Sequence, residues 1–445
     1  MISSPSVVHW KGITDRSDLP SHVVVPMRKN ICEAATGPDE GVKRILLETA
    51  DSCEQIWELN TSKERQRAFG EGKSLYHHDS VSGGLLGDPV ADVYAVIARE
   101  NSCILALADG VSWGEKSRLA ARCAVAGCLQ YLKTHLCTAN TTLDIMEILY
   151  NSFKSAHEFI LKRDGLLTTL CAAVVCQLKD SDKWGLCVLN VGDSLAFTYN
   201  KERGVQEVTF GSHCDIESRD MRCPGGSLGP CVGNNPDLRN LTFSFTTLDT
   251  GDIVFLTSDG VSDNFDPVIS QCETPSFAHT NSLDSTLDEP RVSERTTNAS
   301  PDESGSDYDL PRAQLYDLAM VKNMTEVIQK ESPIDISAVA VCTSLLLHVL
   351  GCTQKKRQHR EQIQARANHN PNGGEDRIHQ GSEREPSRLD CEPPGKLDHA
   401  AVVAFEVGLY RGNRRGKPSK VTDNHCKSKN TRPKPGGAEK ESRNV

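Results

Sequence analysis

The stretch LALADGVSWGEKSRLAARC, from Leu105 to Cys123, starts as an apolar, strand-like run and stops abruptly at Asp109 and Gly110. A helix rich in small residues is predicted to follow it. An Asp-Gly pair at the end of a strand is usually no more than a turn. The pair gains weight here because the same pattern recurs elsewhere in the chain.

Several other strand-like segments also begin or end in a carboxylate. These carboxylates are Asp92 in ADVYAV, Asp193 in CVLNVGDS, Asp259 and Asp263 in DIVFLTSDGVSD, and Asp398 in DHAAVVAFEV. If the strand ends converge, the like charges repel strongly in a cleft of low dielectric. We find no lysine or arginine within the motif strands themselves. A divalent cation with oxygen ligands is the economical way to compensate, and such ligands suit Mg²⁺ or Mn²⁺ rather than zinc.

Composition limits the remaining possibilities. The chain has 445 residues, a hydrophobic fraction of 38% and a formal charge of −10. The low hydrophobic fraction indicates a folded part diluted by polar segments. The acidic balance gives no global signal for nucleic acid, and no run of about 18 apolar residues predicts a membrane span. The N-terminus carries no apolar core of a secretory signal, so we expect no such signal.

The 17 cysteines form no CxxC pairs and no Cys/His ligand spacing. Their odd number and apolar surroundings favour reduced, mostly buried thiols in a cytoplasmic protein, with the nucleus as an alternative location. A disulfide framework is the minor alternative.

Local composition and hydrophobic pattern predict three regions along the chain. Residues 1–65 are an N-terminal extension, partly helical, with an amphipathic pattern over Gly41–Leu59. Residues 66–410 are the folded domain, interrupted by polar insertions at about 266–312 and 368–394 that we expect to be disordered. Residues 411–445 are a basic tail, read either as a solvated segment or as a nuclear-import or acidic-partner patch.

Apolar segments rich in Val, Ile, Leu and Thr predict the strands of the folded domain. They are DVYAVIA, SCILALA, TLCAAVVCQL, WGLCVLNV, LTFSFTTL and DIVFLTS. Two long helices are predicted between them, and strands do not alternate one for one with helices. An α+β layer fold is therefore preferred over a doubly wound parallel sheet.

Five ordered motifs resemble those of the metal-dependent protein serine/threonine phosphatases of the PPM (type 2C) family. They are LALADGVSWGEKS, LLTTLCAAVV, LNVGDSLAF, DIVFLTSDGVSDNF and KLDHAAVVAFEV, and they extend from about Gly70 to Val407. The resemblance implies a central β-sandwich of two antiparallel sheets flanked by helix pairs, with a metal cleft at one end of the sandwich.

The resemblance also implies a role for each acidic position. Asp109 would bridge two metal ions and the Gly110 carbonyl would bind one of them. Asp259 and Asp398 would hold the other ion, and Asp92 would anchor metal-bound water. Asp193 and Asp263, together with Asp259, match a weaker third site. On this hypothesis the catalytic residues are Asp109, Asp259 and Asp398, and two metals activate a shared water that attacks phosphorus in line.

The sequence departs from the family pattern at five positions. Gly87 stands where the family usually has a phosphate-binding arginine, and Ala91 where it has a glutamate. Val111 replaces a histidine, Leu195 an arginine, and His399 an asparagine. The missing arginine matters most, because a bidentate guanidinium–phosphate contact is among the stronger charge-assisted hydrogen bonds. His399 is either a ligand or a structural histidine.

Other residues near the motifs have both ordinary and functional interpretations. Arg118 or Lys116 could replace the missing arginine, or could belong to a solvated helix face. Thr168 and Thr169 are expected to fill a strand rather than touch substrate, and Trp113 to anchor a loop.

Two functions follow from this reading. The first is an active phosphatase that acts on phosphoserine or phosphothreonine in proteins as a monomer, without nucleic acid or membrane. The second is a pseudophosphatase that keeps the fold and binds phosphoproteins or other partners. The substrate and the pathway are not encoded in any motif that we can interpret.

Overall fold

The computed structural model describes residues 6–11, 19–28, 30–35, 67–209, 224–270, 312–331, 336–369 and 392–409. All of them lie in one of two units of the chain, Met1–Tyr410, and the other unit, Arg411–Val445, falls outside the described residues. The helix expected over Gly41–Leu59, most of both polar insertions and the basic tail also lie outside them.

The described residues form fourteen strands. In chain order they are β1 (Val8–Lys11), β2 (Asn30–Ala35), β3 (Ala68–Ser74), β4 (Val93–Arg99), β5 (Ser102–Ala108), β6 (Leu170–Gln177), β7 (Trp184–Val191), β8 (Leu195–Asn200), β9 (Gly204–Glu207), β10 (Ser227–Val232), β11 (Asn235–Asp237), β12 (Thr242–Leu248), β13 (Ile253–Thr257) and β14 (His399–Glu406).

Seven α-helices accompany the strands in the same part of the chain. They are α1 (Glu115–His135), α2 (Thr142–Lys162), α3 (Asp259–Ser262), α4 (Pro267–Ser270), α5 (Arg312–Glu331), α6 (Ala338–Cys352) and α7 (Gln354–His369). Helix α2 starts at a capping box, in which the Asp144 amide donates to the Thr141 hydroxyl and the Thr141 amide donates to the Asp144 carboxylate.

The strands build two antiparallel sheets and a separate hairpin. The larger sheet has seven strands in the order β1-β12-β7-β6-β5-β4-β2, and the smaller has five in the order β3-β14-β13-β8-β9. Strands β10 and β11 pair with each other. The six strands predicted from apolar segments are all present, as are the two helices between them and the closing strand.

Burial on both faces of each sheet explains why the strands are apolar throughout rather than alternating. Side chains on a strand alternate between the two faces. Accordingly, Leu105 packs with Val403 between the sheets, while Ile104 packs with Leu149 under the helix pair α1 and α2. A third cluster, which includes Leu345 of α6, covers the outer face of the smaller sheet. The layers are therefore helix, sheet, sheet and helix, which confirms the predicted α+β sandwich.

Two features differ in detail from the sequence reading. The helical pattern from about residue 335 onward is two helices, α6 and α7, which break at Thr353, whose hydroxyl donates to the Val349 carbonyl. The described parts of the N-terminal segment form β1 and β2, which are the two edges of the larger sheet. Neither short segment carries the long apolar run that made the central strands visible in the sequence.

The described cysteines are free thiols, and seven of these ten are buried. Among the described residues no single helix has both the length and the apolar composition of a membrane span, and α6 with α7, bent by 42°, meets those criteria only as a pair.

Candidate metal centre

Two carboxylates project from the same end of the larger sheet. Asp92 directly precedes β4 and Asp109 directly follows β5, and the antiparallel register pairs Val93 with Ala108. Asp92 is 4% exposed, and its Oδ2 accepts a hydrogen bond of 2.6 Å from the Ser258 hydroxyl of the other sheet. The strand register therefore places the first pair of predicted residues side by side.

The smaller sheet contributes a second pair of carboxylates at the facing end. Asp259 opens α3 just beyond β13, and Asp398 immediately precedes β14, which pairs with β13. Gly260 makes this approach possible, because a Cβ there would lie 1.8 Å from the His399 carbonyl oxygen. No other residue type fits that contact without moving the backbone.

The backbone of Asp109 is fixed by two buried threonines that directly precede the neighbouring strand β6. The Thr168 hydroxyl donates to the Asp109 carbonyl over 2.8 Å, and the Asp109 amide donates to the Thr169 hydroxyl over 3.0 Å. Thr169 in turn shares a 2.8 Å hydrogen bond with the Ser194 hydroxyl. The threonines therefore lie just before β6 rather than within it, and their hydroxyls hold the strand end that bears Asp109.

A lysine that the sequence analysis missed lies among the acidic residues. The Lys396 ammonium contacts the Asp259 carboxylate, approaches Asp263 Oδ2 to 2.9 Å and approaches Asp398 Oδ2 to 3.1 Å. Its side chain is 18% exposed. Lys396 lies outside the strands, two residues before Asp398 and three before β14 begins. The sequence signal was the lysine of the motif KLDHAAVVAFEV.

Asp193 joins the same group of charges. It lines the cleft, and burial together with the neighbouring Asp259 and Asp263 raises its pKa well above the ordinary value. Four of the six predicted carboxylates, Asp109, Asp193, Asp259 and Asp398, line a cleft of about 930 Å³ together with Gly110. Asp92 and Asp263 lie beside it, where Asp92 acts on Asp109 and Asp263 pairs with Lys396. The lining of the cleft also includes Tyr76 and Lys396.

Burial and mutual repulsion dominate the electrostatics of the centre. Burial, followed by the charges of Asp92, Asp259 and Asp398, raises the pKa of Asp109 well above its usual range. Burial raises the pKa of Asp92 to about 8, and the Ser258 hydrogen bond opposes that shift. Burial and Asp259 raise the pKa of Asp398 to about 6, while Lys396 opposes the rise. Without further cations the centre therefore favours proton uptake.

The same carboxylates hold the pKa of Lys396 high. Burial alone would lower the pKa of this ammonium, but Asp259, Asp263 and Asp398 outweigh burial and raise it well above its ordinary value. Lys396 is consequently a permanent positive charge at neutral pH.

The donor set has the chemistry of a divalent-ion site. Its donors are carboxylate and carbonyl oxygens, which Mg²⁺ and Mn²⁺ prefer. Asp92 Oδ1 and Asp259 Oδ1 are buried and have no hydrogen-bond partner among the described residues. In the arrangement seen here, however, no three His, Cys, Asp or Glu side chains of the described part surround one point closely enough to hold an ion. The donors fit the metal, and the Lys396 ammonium lies among three of them.

His399 has a structural place beside the centre. Its ring is 1% exposed. Nε2 donates to the Gly87 carbonyl over 2.9 Å, and Nδ1 accepts from the Ala91 amide over 3.3 Å. Because both ring nitrogens bond the backbone, neither is directed at a metal ion. Burial also lowers the pKa of His399, which favours the neutral ring that this pattern needs.

The residues offered as replacements for the missing arginine do not reach the cleft lining. Lys116 pairs with Asp164 on the surface over 2.7 Å, and Arg118 lies 3.9 Å from Glu115 on the same helix. The cleft is lined instead by cations of α7. Lys356 donates to the Gly395 carbonyl over 2.6 Å, and Arg360 pairs with Glu392.

The glycine at position 87 is explained by its local surroundings. A side chain at Gly87 would collide with the Tyr76 ring, because a Cβ there would lie 2.4 Å from Tyr76 Cδ2. Trp113 is 56% exposed, and its ring centroid lies 6.3 Å from that of Tyr76. The place of the arginine is thus filled by the Tyr76 ring, which donates its hydroxyl to Asp398 over 3.3 Å.

Residues 86–295, a little under half of the chain, match the family model described as protein phosphatase 2C.

A curated relative is similar to about half of this chain. A PP2C-like domain-containing protein of Drosophila melanogaster is 46% identical over 219 residues, which cover 48% of this chain and 31% of that protein. The chain therefore spans about a third of the length of the relative that it matches.

Solved structures with similar folds include phosphatases. The catalytic domain of the serine threonine protein phosphatase PstP, in complex with two manganese ions, is 15% identical and matches 77% of this chain and 98% of its own, with a TM-score of 0.36. The photosystem II phosphatase PBCP is 15% identical and matches 85% of this chain and 99% of its own, with a TM-score of 0.35.

Proposed function

We propose that this domain removes phosphate from phosphoserine or phosphothreonine in proteins in a reaction that depends on divalent metal. The observation that carries the proposal is the convergence of Asp92, Asp109, Asp259 and Asp398 from both sheets at one open cleft. Such buried like charges are unfavourable in a purely structural domain unless a cation compensates them.

The residues that would hold the metal follow from this arrangement. Asp92, Asp109 and the Gly110 carbonyl would serve the side of the larger sheet, and Asp259 and Asp398 the side of the smaller sheet. Asp193 and Asp263 would extend the second side. Bound divalent ions supply an activated water nucleophile and neutralise charge on the phosphoryl oxygens.

Other residues of the chain would position these ligands. Thr168 and Thr169 fix the Asp109 backbone, and Ser258 orients Asp92 from the opposite sheet. Burial and the nearby carboxylates raise the pKa of Tyr76, so its hydroxyl stays protonated and can donate to Asp398. Lys356 and Arg360 are the cations of α7 that lie along the cleft and could meet a phosphorylated peptide.

The proposal is tested with the full chain and a phosphothreonine peptide, with Mn²⁺ or with EDTA. We expect hydrolysis that requires Mn²⁺ and that falls at least about 100-fold in Asp109→Asn, the scale seen when one transition-state contact is removed. Asp164→Asn is the matched control, since Asp164 is exposed and distant from the cleft lining. A chain that binds Mn²⁺ and folds but hydrolyses no phosphopeptide would refute the activity.

A pseudophosphatase is the second candidate, and a specific observation favours it. Gly87 and Tyr76 occupy the place of the phosphate-binding arginine, and Lys396 lies among three carboxylates. On this alternative, phosphoprotein binding persists in Asp109→Asn. On the first proposal, Asp109→Asn no longer releases phosphate from the phosphopeptide. The monomeric state and the cytoplasmic location expected from the sequence remain predictions.

A further inference from the structure

One lysine lies in the middle of the acidic centre rather than at its rim. The Lys396 ammonium has three carboxylates around it, from Asp259, Asp263 and Asp398. Two of these three belong to the predicted third metal site, and the third belongs to the predicted second site. An ammonium with three donors matches three carboxylate acceptors in number, and its charge is opposite to theirs.

The backbone around Lys396 is held as firmly as its side chain. The Lys396 amide donates to Asn264 Oδ1 over 2.8 Å, and the Asn264 side-chain amide donates back to the Lys396 carbonyl over 3.0 Å. Asn264 Nδ2 also donates to the Gly260 carbonyl over 2.8 Å. Gly395 precedes the lysine with a φ of 102° and donates to the Ile269 carbonyl over 2.9 Å. The lysine is therefore built into the site and does not swing freely over it.

An ammonium and a divalent ion compete for the same oxygens. Magnesium binds oxygen at about 2.0–2.1 Å and demands near-octahedral geometry. An ammonium at hydrogen-bonding distance from the same carboxylates adds like charge next to any such ion and uses lone pairs that the ion needs. Asp92 and Asp109, by contrast, have no contact with Lys396 among its described ion pairs.

We propose that Lys396 is the resident cation on the side of the centre formed by Asp259, Asp263 and Asp398, where it takes the place of a divalent ion. The wild-type chain then binds its divalent metal on the side of Asp92 and Asp109. The inference rests on the proposed function in taking Asp92 and Asp109 to be metal ligands, and it refines that function by giving the side of Asp259 and Asp398 to the Lys396 ammonium instead of a divalent ion. It assigns Lys396 as a positioning residue that sets how many ions the centre holds.

Calorimetric titration of the full, metal-stripped chain with Mn²⁺ tests the inference. We expect Lys396→Gln to bind one ion more than the wild type, or to bind its weakest ion at least about tenfold more tightly, which corresponds to about 1.4 kcal/mol. Lys356→Gln is the matched control, because Lys356 also lines the cleft but bonds the Gly395 carbonyl and Glu392 instead. Equal ion number and affinity in Lys396→Gln and wild type would overturn the inference, whether that number is zero, one or two.

A second measurement needs no variant and so decides the matter even if Lys396→Gln fails to fold. Amine-directed acylation of the wild type, read by mass spectrometry, compares Lys396 with Lys162, whose side chain is 68% exposed. We expect Lys396 to be protected in EDTA and to stay protected in saturating Mn²⁺. Labelling of Lys396 at the rate of Lys162 in EDTA, or its exposure by Mn²⁺, would overturn the inference.

The two proposals fail in different ways. A gain of metal in Lys396→Gln without phosphopeptide hydrolysis in any variant would leave the inference standing and refute the phosphatase activity. Phosphopeptide hydrolysis by a wild-type chain that binds two ions, with Lys396 displaced, would support the phosphatase activity and refute the inference.

Discussion

The two sides of the acidic centre solve one electrostatic problem differently. On the larger sheet, Asp92 and Asp109 end buried strands, and an unpartnered oxygen of Asp92 remains. On the smaller sheet, Asp259, Asp263 and Asp398 surround the Lys396 ammonium. On our proposals, the first side binds a cation from solution, whereas the second has the Lys396 ammonium of the chain itself. The same acidic motif can therefore imply different numbers of metal ions.

The largest expected effect comes from removing the Lys396 ammonium from the side formed by Asp259, Asp263 and Asp398. Lys396→Met leaves three carboxylates without their ammonium, and removing one partner from a buried ion pair costs about 3–5 kcal/mol. Urea unfolding in EDTA at pH 8 measures this loss. Lys356→Met should lose far less, since Lys356 forms its ion pair with a half-exposed Glu392. A Lys396→Met protein as stable as the wild type would show that the ammonium does not compensate the carboxylates.

The next effect sharpens the comparison through pH. The folded-state pKa values of Asp92 and Asp398 are raised to about 8 and about 6. A carboxyl with a raised folded pKa favours folding below its unfolded pKa, and this contribution is lost as pH rises through the folded value. The metal-free chain should therefore lose stability steadily as the pH rises from about 4 to 8.

Chemical unfolding in EDTA across that range measures the slope. Asp92→Asn should flatten it above pH 6, because it removes the group with the higher pKa. Stability that rises with pH over the same interval would contradict the burial of these carboxyls as described.

The smallest effect concerns the side that lacks its own cation. Thr169→Val removes the hydroxyl that accepts from the Asp109 amide and bonds Ser194. Losing a buried hydrogen bond costs about 1–3 kcal/mol, and we expect about 1 kcal/mol in thermal unfolding together with weaker Mn²⁺ binding. Thr134→Val on the exposed face of α1 is the control. Unchanged Mn²⁺ affinity in Thr169→Val would show that the Thr169 hydroxyl does not position Asp109 for metal binding.

The sequence was sufficient for the architecture because the central strands are apolar on both faces. Segments such as those containing Ile104 and Leu105 are long enough to be recognised, and the carboxylates that follow them reveal which strand ends meet. The edge strands β1 and β2 were not predicted, since edge strands carry fewer apolar positions and depend on pairing with distant segments.

Three features of the site needed tertiary structure. Lys396 lies outside its strand, and its place among the carboxylates depends on the turn that Asn264 holds. The choice between a ligand and a structural histidine at His399 depended on the backbone groups of Gly87 and Ala91, which are more than 300 positions away. No local pattern encodes such contacts.

A crystal structure of the wild-type chain soaked in Mn²⁺, with anomalous data at the manganese edge, tests the central claim most directly. The account predicts manganese bound by Asp92 or Asp109, with Lys396 still at hydrogen-bonding distance from Asp263 and Asp398. Manganese seated between Asp259 and Asp398 with the lysine turned away, or no manganese on these carboxylates at all, would contradict it.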